Sequence, residues 1–221
     1  MKLKHFLSLF IFLLPFFTTA QDSNLGNWLI YIGNKKINDS WNWHNEVQYR
    51  NYNAVGDLEQ LLLRTGIGYN LSEDNNNILL GYAFIHSQNY LPNSADKVMV
   101  NEHRIFQQFT TKQKLGRVYL SHRYRFEQRF IQNQPFRLRF RYFLSANVPL
   151  NNKTMADKTV YLSAYNEIFI NTHQSFFDRN RLYGGVGFKL NKLIKFELGY
   201  MNQFLNTENR DQINLFILLS F

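Results

Sequence analysis

The sequence predicts an all-β protein, an antiparallel up-and-down transmembrane β-barrel, and three observations carry that expectation. The chain ends on DQINLFILLSF, where Ile213, Leu215, Ile217, Leu219 and Phe221 fall at every second position. A strand with that spacing has one continuous apolar face, and closing on the first strand hides its edge. The hairpin over 118–148 then separates two faces completely: Tyr124, Phe126, Phe130, Leu138, Phe140, Tyr142 and Leu144 alternate with Arg123, Arg125, Glu127, Arg129, Arg137, Arg139 and Arg141. Finally, Phe, Trp and Tyr make up 17% of the chain, with 21 Phe and 13 Tyr, while the mean hydropathy is only −0.36. That combination suits strands that alternate apolar with polar residues and carry aromatic girdles at both membrane interfaces.

Taken in order, Lys2, Lys4 and His5 precede the apolar run Phe6 to Phe17, and Thr18-Thr19-Ala20 stands before Gln21. Residues 1–20 therefore read as a cleaved secretory signal peptide, leaving 21–221 as a single barrel domain. The run is shorter than the ~20 residues a helix needs to span a bilayer, and Pro15 interrupts it. Alternation then marks segments at 27–36, 41–52, 58–71, 77–90, 99–112, 116–130, 136–149, 158–171, 180–191, 193–204 and 211–221,. Bacterial single-chain barrels have an even number of strands with both termini in the periplasm. The expectation is therefore roughly twelve strands, the extra one hidden near the N-terminus or within 151–158, with about ten as the alternative if one segment is split. Short periplasmic turns are expected at 113–116 and 190–193, and longer outer loops at 91–98, 172–179 and 205–210.

An arginine at the bilayer midplane on the lipid side costs about 2–4 kcal/mol, so the guanidinium face must point inward. Simple hairpin registers bring Glu102 beside Arg125 to Arg129 and Glu167 beside Arg141, and they match Glu46 with Arg64. The expected lumen is a charge belt of Glu46, Arg64, Glu102, Arg104, Arg123, Arg125, Glu127, Arg129, Arg137, Arg139, Arg141, Glu167, Arg181 and Glu197, aided by Gln48, Gln107 or Gln108, Gln128 and Gln203,. Two roles compete for it. The belt can fill a small lumen and fix register, or its surplus arginine can form a positive constriction that passes anions.

The formal charge is +9, falling to +7 once Lys2 and Lys4 leave with the signal. Export argues against nucleic acid as the partner of so basic a chain. Outer-membrane lipid, lipopolysaccharide and small anionic solutes are expected instead, for a monomer in the cell outer membrane. With no cysteine in the chain, thiolate metal sites are excluded, and no cofactor, metal or catalytic set is assigned. Asp22, Asp39, Asp57, Asp74, Asp96, Asp157, Asp178 and Asp211 read mainly as turn or terminal acids. An outer-membrane lipid hydrolase is the alternative function. It would draw on Ser121-His122, His86-Ser87 or Glu102-His103, yet neighbours on a strand face opposite ways, so His86 with a distant serine is the better candidate pair. A soluble periplasmic ligand-binding barrel is a second alternative, and it requires the aromatic face to turn inward. Glycines such as Gly66, Gly68, Gly184, Gly185 and Gly187 read as room for large inward side chains, Arg139 or Arg141 among them.

The motifs GNW (26–28), EVQYR (46–50), RTGIGY (64–69), GYAF (81–84), NEHRIFQQ (101–108), HRYRFEQR (122–129), RLRFRY (137–142), FDRNRLYGGVG (177–187) and ELGYMNQ (197–203) occur in this order. In that string the chain resembles a family of uncharacterised outer-membrane β-barrel proteins of Bacteroidetes-type bacteria, defined as a domain of unknown function. The resemblance implies fold and location, and brings with it neither substrate nor catalytic residues.

Overall fold

The computed structural model describes residues 25–221 apart from 55, 73–74, 173–174 and 207. The signal-peptide reading of 1–20, and Asp22 and Asp74 among the turn acids, lie outside the described residues. Eleven strands follow one another: β1 (Leu25–Lys36), β2 (Trp41–Asn51), β3 (Leu58–Asn70), β4 (Asn76–Tyr90), β5 (Lys97–Leu115), β6 (Val118–Ile131), β7 (Arg137–Pro149), β8 (Thr159–Asn171), β9 (Phe177–Lys189), β10 (Ile194–Leu205) and β11 (Asn209–Ser220). Each alternating segment of the sequence becomes one strand, because period-two burial needs only local pleat geometry.

The eleven strands close into one barrel in chain order, so the expectation of twelve or ten is corrected to eleven among the described residues. In an up-and-down meander every strand reverses the last, and the first and eleventh therefore run the same way. They close in parallel, from Leu25↔Asp211 to Asn34↔Ser220, while β1 pairs antiparallel with β2 on its other side. Both edges are consumed, and the barrel offers no place for a twelfth strand. The even-number rule assumed antiparallel closure.

An odd count also separates the ends of the barrel. Leu25 lies at the mouth that holds the connections 52–57, 91–96, 132–136, 172–176 and 206–208, here called the upper mouth. Phe221 lies at the lower mouth with 37–40, 71–75, 116–117, 150–158 and 190–193. The expected outer loops thus share one mouth, as the expected turns share the other, but the loops are shorter than the sequence suggested, since β5 starts at Lys97 and β9 at Phe177. The longest connection, 150–158, belongs to the lower mouth. It holds no strand, and Arg117 Nη2 pins it by donating to the carbonyls of Pro149 at 2.7 Å and Asn152 at 3.0 Å. The tightest turn is the pair Gly116-Arg117, where Gly116 takes a φ of 58°,.

Leu63, Leu80, Tyr124, Phe140, Leu162, Leu182 and Leu198 lie on the outer wall, each exposed. Between the strand ends the outward positions carry no charged residue; Lys35 and Asp211 sit near the ends of β1 and β11. Inside, glycines make room as expected, but chiefly for aromatic rings and not for Arg139 or Arg141. A Cβ at Gly81 would collide with the ring of Phe106, and one at Gly187 with Tyr161. Gly184 faces outward into open space. Gly81→Val is expected to destabilise the barrel by about 1–3 kcal/mol through overpacking, whereas Gly184→Ala stays within roughly 0.5 kcal/mol. Urea midpoints of the two refolded variants check this pair, and equal midpoints would contradict it.

Candidate functional site

The lumen is built by the inward positions of all eleven strands, and its charges come chiefly from β2 to β10. Glu127 on β6 is the centre of the ion-pair belt. It accepts from Arg139 Nη2 at 2.6 Å and Arg141 Nη1 at 2.7 Å, and Arg125 and Arg104 stand at 3.8 and 4.0 Å. Glu167 on β8 takes Arg141 at 2.7 Å and Arg123 at 2.8 Å, with Arg181 at 3.8 Å. Glu102 on β5 binds Arg104 and Arg129, both at 2.6 Å. Glu46 on β2 pairs with Arg64, and His44 Nε2 lies 3.4 Å from it. These charges are buried and matched by direct contacts, the only condition under which buried ions are tolerated.

Two residues of the expected belt stand apart from it. Glu197 on β10 accepts from Tyr161 Oη at 2.9 Å and has no arginine within ion-pair distance among the described residues. Arg137 enters the lumen, and among the described residues it has no carboxylate within ion-pair distance and its buried Nε has no partner. Among the expected glutamines, Gln48, Gln108 and Gln203 face inward, with Gln108 Oε1 accepting from Arg125 and Gln203 Oε1 from Arg181 at 2.8 Å. Gln128 and Gln107 bond to each other on the outer wall at 3.0 Å.

Sequence reasoning missed several lumenal groups. Arg50, Arg179, Arg210, Glu59 and Asp178 line or cap the interior near the upper mouth. Arg210 binds Glu59 at 2.6 Å, and Asp178 joins Arg139 and Arg179 at 3.0 and 3.1 Å. Arg50 had the alternation that could have revealed it, two places after Gln48. Also missed were the inward aromatics Trp28, Phe106, Tyr161, Phe169 and Tyr183; guanidiniums stack on Trp28, Phe106 and Phe169, with Arg141 and Arg181 4.5 and 4.6 Å from the Phe169 ring centroid,. Alternation finds one face of a strand but cannot tell which rings it sends inside.

Three cavities follow one another along the lumen. The one at the upper mouth, of about 290 Å³, is lined by nine arginines and by only three carboxylates, Glu59, Glu102 and Asp178. The middle one, of about 240 Å³, is walled from it by Trp28, Arg50, Arg64, Arg141 and Arg181, which line both. The third, of about 650 Å³, opens at the lower mouth among Lys36, Lys112 and Lys192. Outside that mouth, Lys36 Nζ donates to Asp39 at 2.6 Å, which together with its charge holds the Asp39 carboxyl below its ordinary value.

The histidines weighed for hydrolysis are on the outer wall. His86 bonds Asn101 at 2.9 Å, His103 bonds Tyr82 at 2.6 Å and His122 bonds Tyr142 at 2.9 Å. Ser87 turns inward to accept from Gln60, so the strand pleat separates it from His86. No serine–histidine hydrogen bond occurs among the described residues.

Fold and lumen together define a closed β-barrel with an ion-paired, arginine-rich interior. The family model described as "Protein of unknown function (DUF2490)" matches residues 25–214, and the chain belongs to that family. No curated protein and no solved structure matches the chain.

Proposed function

We propose that this barrel resides in the outer membrane, exported through a signal peptide at 1–20, and acts there as a narrow, arginine-lined passage for small anionic solutes. The observation that carries the reading is the threefold excess of arginine over carboxylate in the upper cavity. It lies inside a wall whose outward positions are mainly apolar and free of charge between the strand ends. A contiguous apolar surface of that extent in water would promote association, whereas lipid acyl chains match it. A monomer in contact with outer-membrane lipid and lipopolysaccharide satisfies the wall; anions drawn to the upper mouth satisfy the lumen.

A second reading rests on the Glu127 and Glu167 clusters, whose shared Arg141 stands in the wall between the upper and middle cavities. In it the belt is packing, and the protein serves as a structural or surface-interaction barrel. The soluble periplasmic alternative needed aromatics inside and arginines outside, the reverse of the arrangement above. For the hydrolase reading, release of fatty acid by purified protein in lipid, lost on His86→Ala or His122→Ala, would be the supporting result.

Single-channel recording in a planar bilayer under a salt gradient separates the first two readings. Steady steps with an anion-selective reversal potential are expected, and replacing Arg125 and Arg139 with glutamine should shift that potential toward zero. A folded barrel that stays silent would overturn the passage and leave the structural reading.

A further inference from the structure

At the wall between the upper and middle cavities, Trp28 of β1 carries a guanidinium against its ring from each of two strands. Arg50 Cζ lies 3.7 Å from the ring centroid and Arg181 Cζ 4.8 Å. All three side chains are buried, Trp28 at 3% exposure, Arg50 at 8% and Arg181 at 7%. Elsewhere in the belt, Arg64, Arg104, Arg139 and Arg141, as deep as these, each touch a carboxylate at under 3 Å, and only Arg125, held by Gln108, stands farther off, 3.8 Å from Glu127. Arg50 instead donates only to the amide oxygens of Gln48 and Gln60, and Arg181 donates to Gln203, with Glu167 no closer than 3.8 Å.

Two like charges held beside one ring, with neutral acceptors, are unfavourable in a buried setting unless an anion joins them. A third donor is present: Trp28 Nε1 is buried and has no partner among the described residues. The carboxylates of the same cavity are occupied elsewhere, Glu59 by Arg210, Glu102 by Arg104 and Arg129, and Asp178 by Arg139 and Arg179. Guanidiniums present N–H donors in a planar fork that fits a carboxylate or phosphate group.

We propose that Arg50, Arg181 and Trp28 form a binding site for a small oxyanion, the phosphate or carboxylate group of a free solute that enters by the upper mouth. A lipid headgroup is disfavoured because the closed sheet separates the site from the outer wall. The site rests on the reading of the lumen as anion-accepting, and it stands whether or not the barrel conducts.

The test uses the full barrel in zwitterionic detergent, with Trp41→Phe and Trp43→Phe leaving Trp28 as the reporter among the three tryptophans. Inorganic phosphate is titrated against chloride at constant ionic strength, and Trp28 fluorescence is read. A saturable change is expected. Arg50→Gln or Arg181→Gln should raise the half-saturation about tenfold or more, as loss of one charge-assisted hydrogen bond implies. Arg50→Lys, which keeps the charge, should retain saturable binding and so separates a lost site from a lost fold. Arg117→Gln, at the lower mouth, should leave the titration unchanged. No saturable response in the Trp28 reporter, or identical curves for it and Arg50→Gln, would overturn the site. If only lipopolysaccharide added to the micelles moved the fluorescence, the free-solute proposal would fail as well. Phosphate binding by a barrel silent in bilayers would remove conduction and keep the site; conduction without a phosphate response would do the opposite.

Discussion

Glu127→Ala is expected to cost about 3–5 kcal/mol of barrel stability, because it removes one partner of a buried ion cluster and leaves the others charged. Glu127 is 1% exposed. It accepts from Arg139 and Arg141 at 2.6 and 2.7 Å, and Arg125 and Arg104 lie within 4 Å. Glu167 cannot compensate, since it is already shared by Arg123 and Arg141. Asp178 offers Arg139 a second contact at 3.0 Å, Glu167 offers Arg141 one at 2.7 Å and Glu102 holds Arg104 at 2.6 Å, so Arg125 is the guanidinium left most exposed to repulsion from its neighbours. Unfolding by urea of the reconstituted variant measures the loss. A cost under about 1 kcal/mol would mean that water reaches the cluster and screens it as it screens a surface pair. The double variant Glu127→Ala with Arg125→Met should recover part of the loss, because it removes the stranded charge together with its partner.

The second large effect concerns the outer wall. Leu198→Arg places a guanidinium near the middle of β10 at a position 57% exposed. If that wall meets acyl chains, the substitution costs about 2–4 kcal/mol near the midplane. If it meets water, a surface change of this kind stays within about 0.5 kcal/mol. Comparing urea midpoints of wild type and Leu198→Arg folded into vesicles decides between the two, with Leu182→Arg as a second mid-strand position. A Leu198→Arg midpoint equal to wild type in vesicles would count against a transmembrane barrel.

Much of this fold could be read from residue order. All eleven alternating segments are strands whose ends differ from the reading by three residues or fewer. The sign of each face in the 118–148 hairpin follows from putting arginine on one side and aromatics on the other. Where the reading went astray, a general rule overrode the pattern: the segments numbered eleven, and evenness demanded twelve. The candidate site was legible in part. Glu102 with Arg129, Glu167 with Arg141 and Glu46 with Arg64 are neighbours on adjacent strands, so a hairpin register suffices to pair them. Glu59 and Asp178 were not found, because each is the extra residue of a bulge where parity shifts, opposite Arg50/Asn51 and Phe169/Ile170; Arg50 keeps the inward parity of Gln48 and was legible. Glu197 shares the inward parity of the belt, but its partner is Tyr161, and parity says nothing about height along the barrel.

By itself the sequence determined which residues share a face, because a pleated strand sends successive Cβ atoms to opposite sides whatever the rest of the chain does. Only the tertiary structure decided how the sheet closes and what meets across it. Parallel pairing of β1 with β11, the contact of Arg210 with Glu59 across 151 residues of chain, and the stacking of Arg50 and Arg181 on Trp28 all depend on strand number, tilt and register around the whole barrel. Those quantities are set by closure, which is a property of all the strands at once.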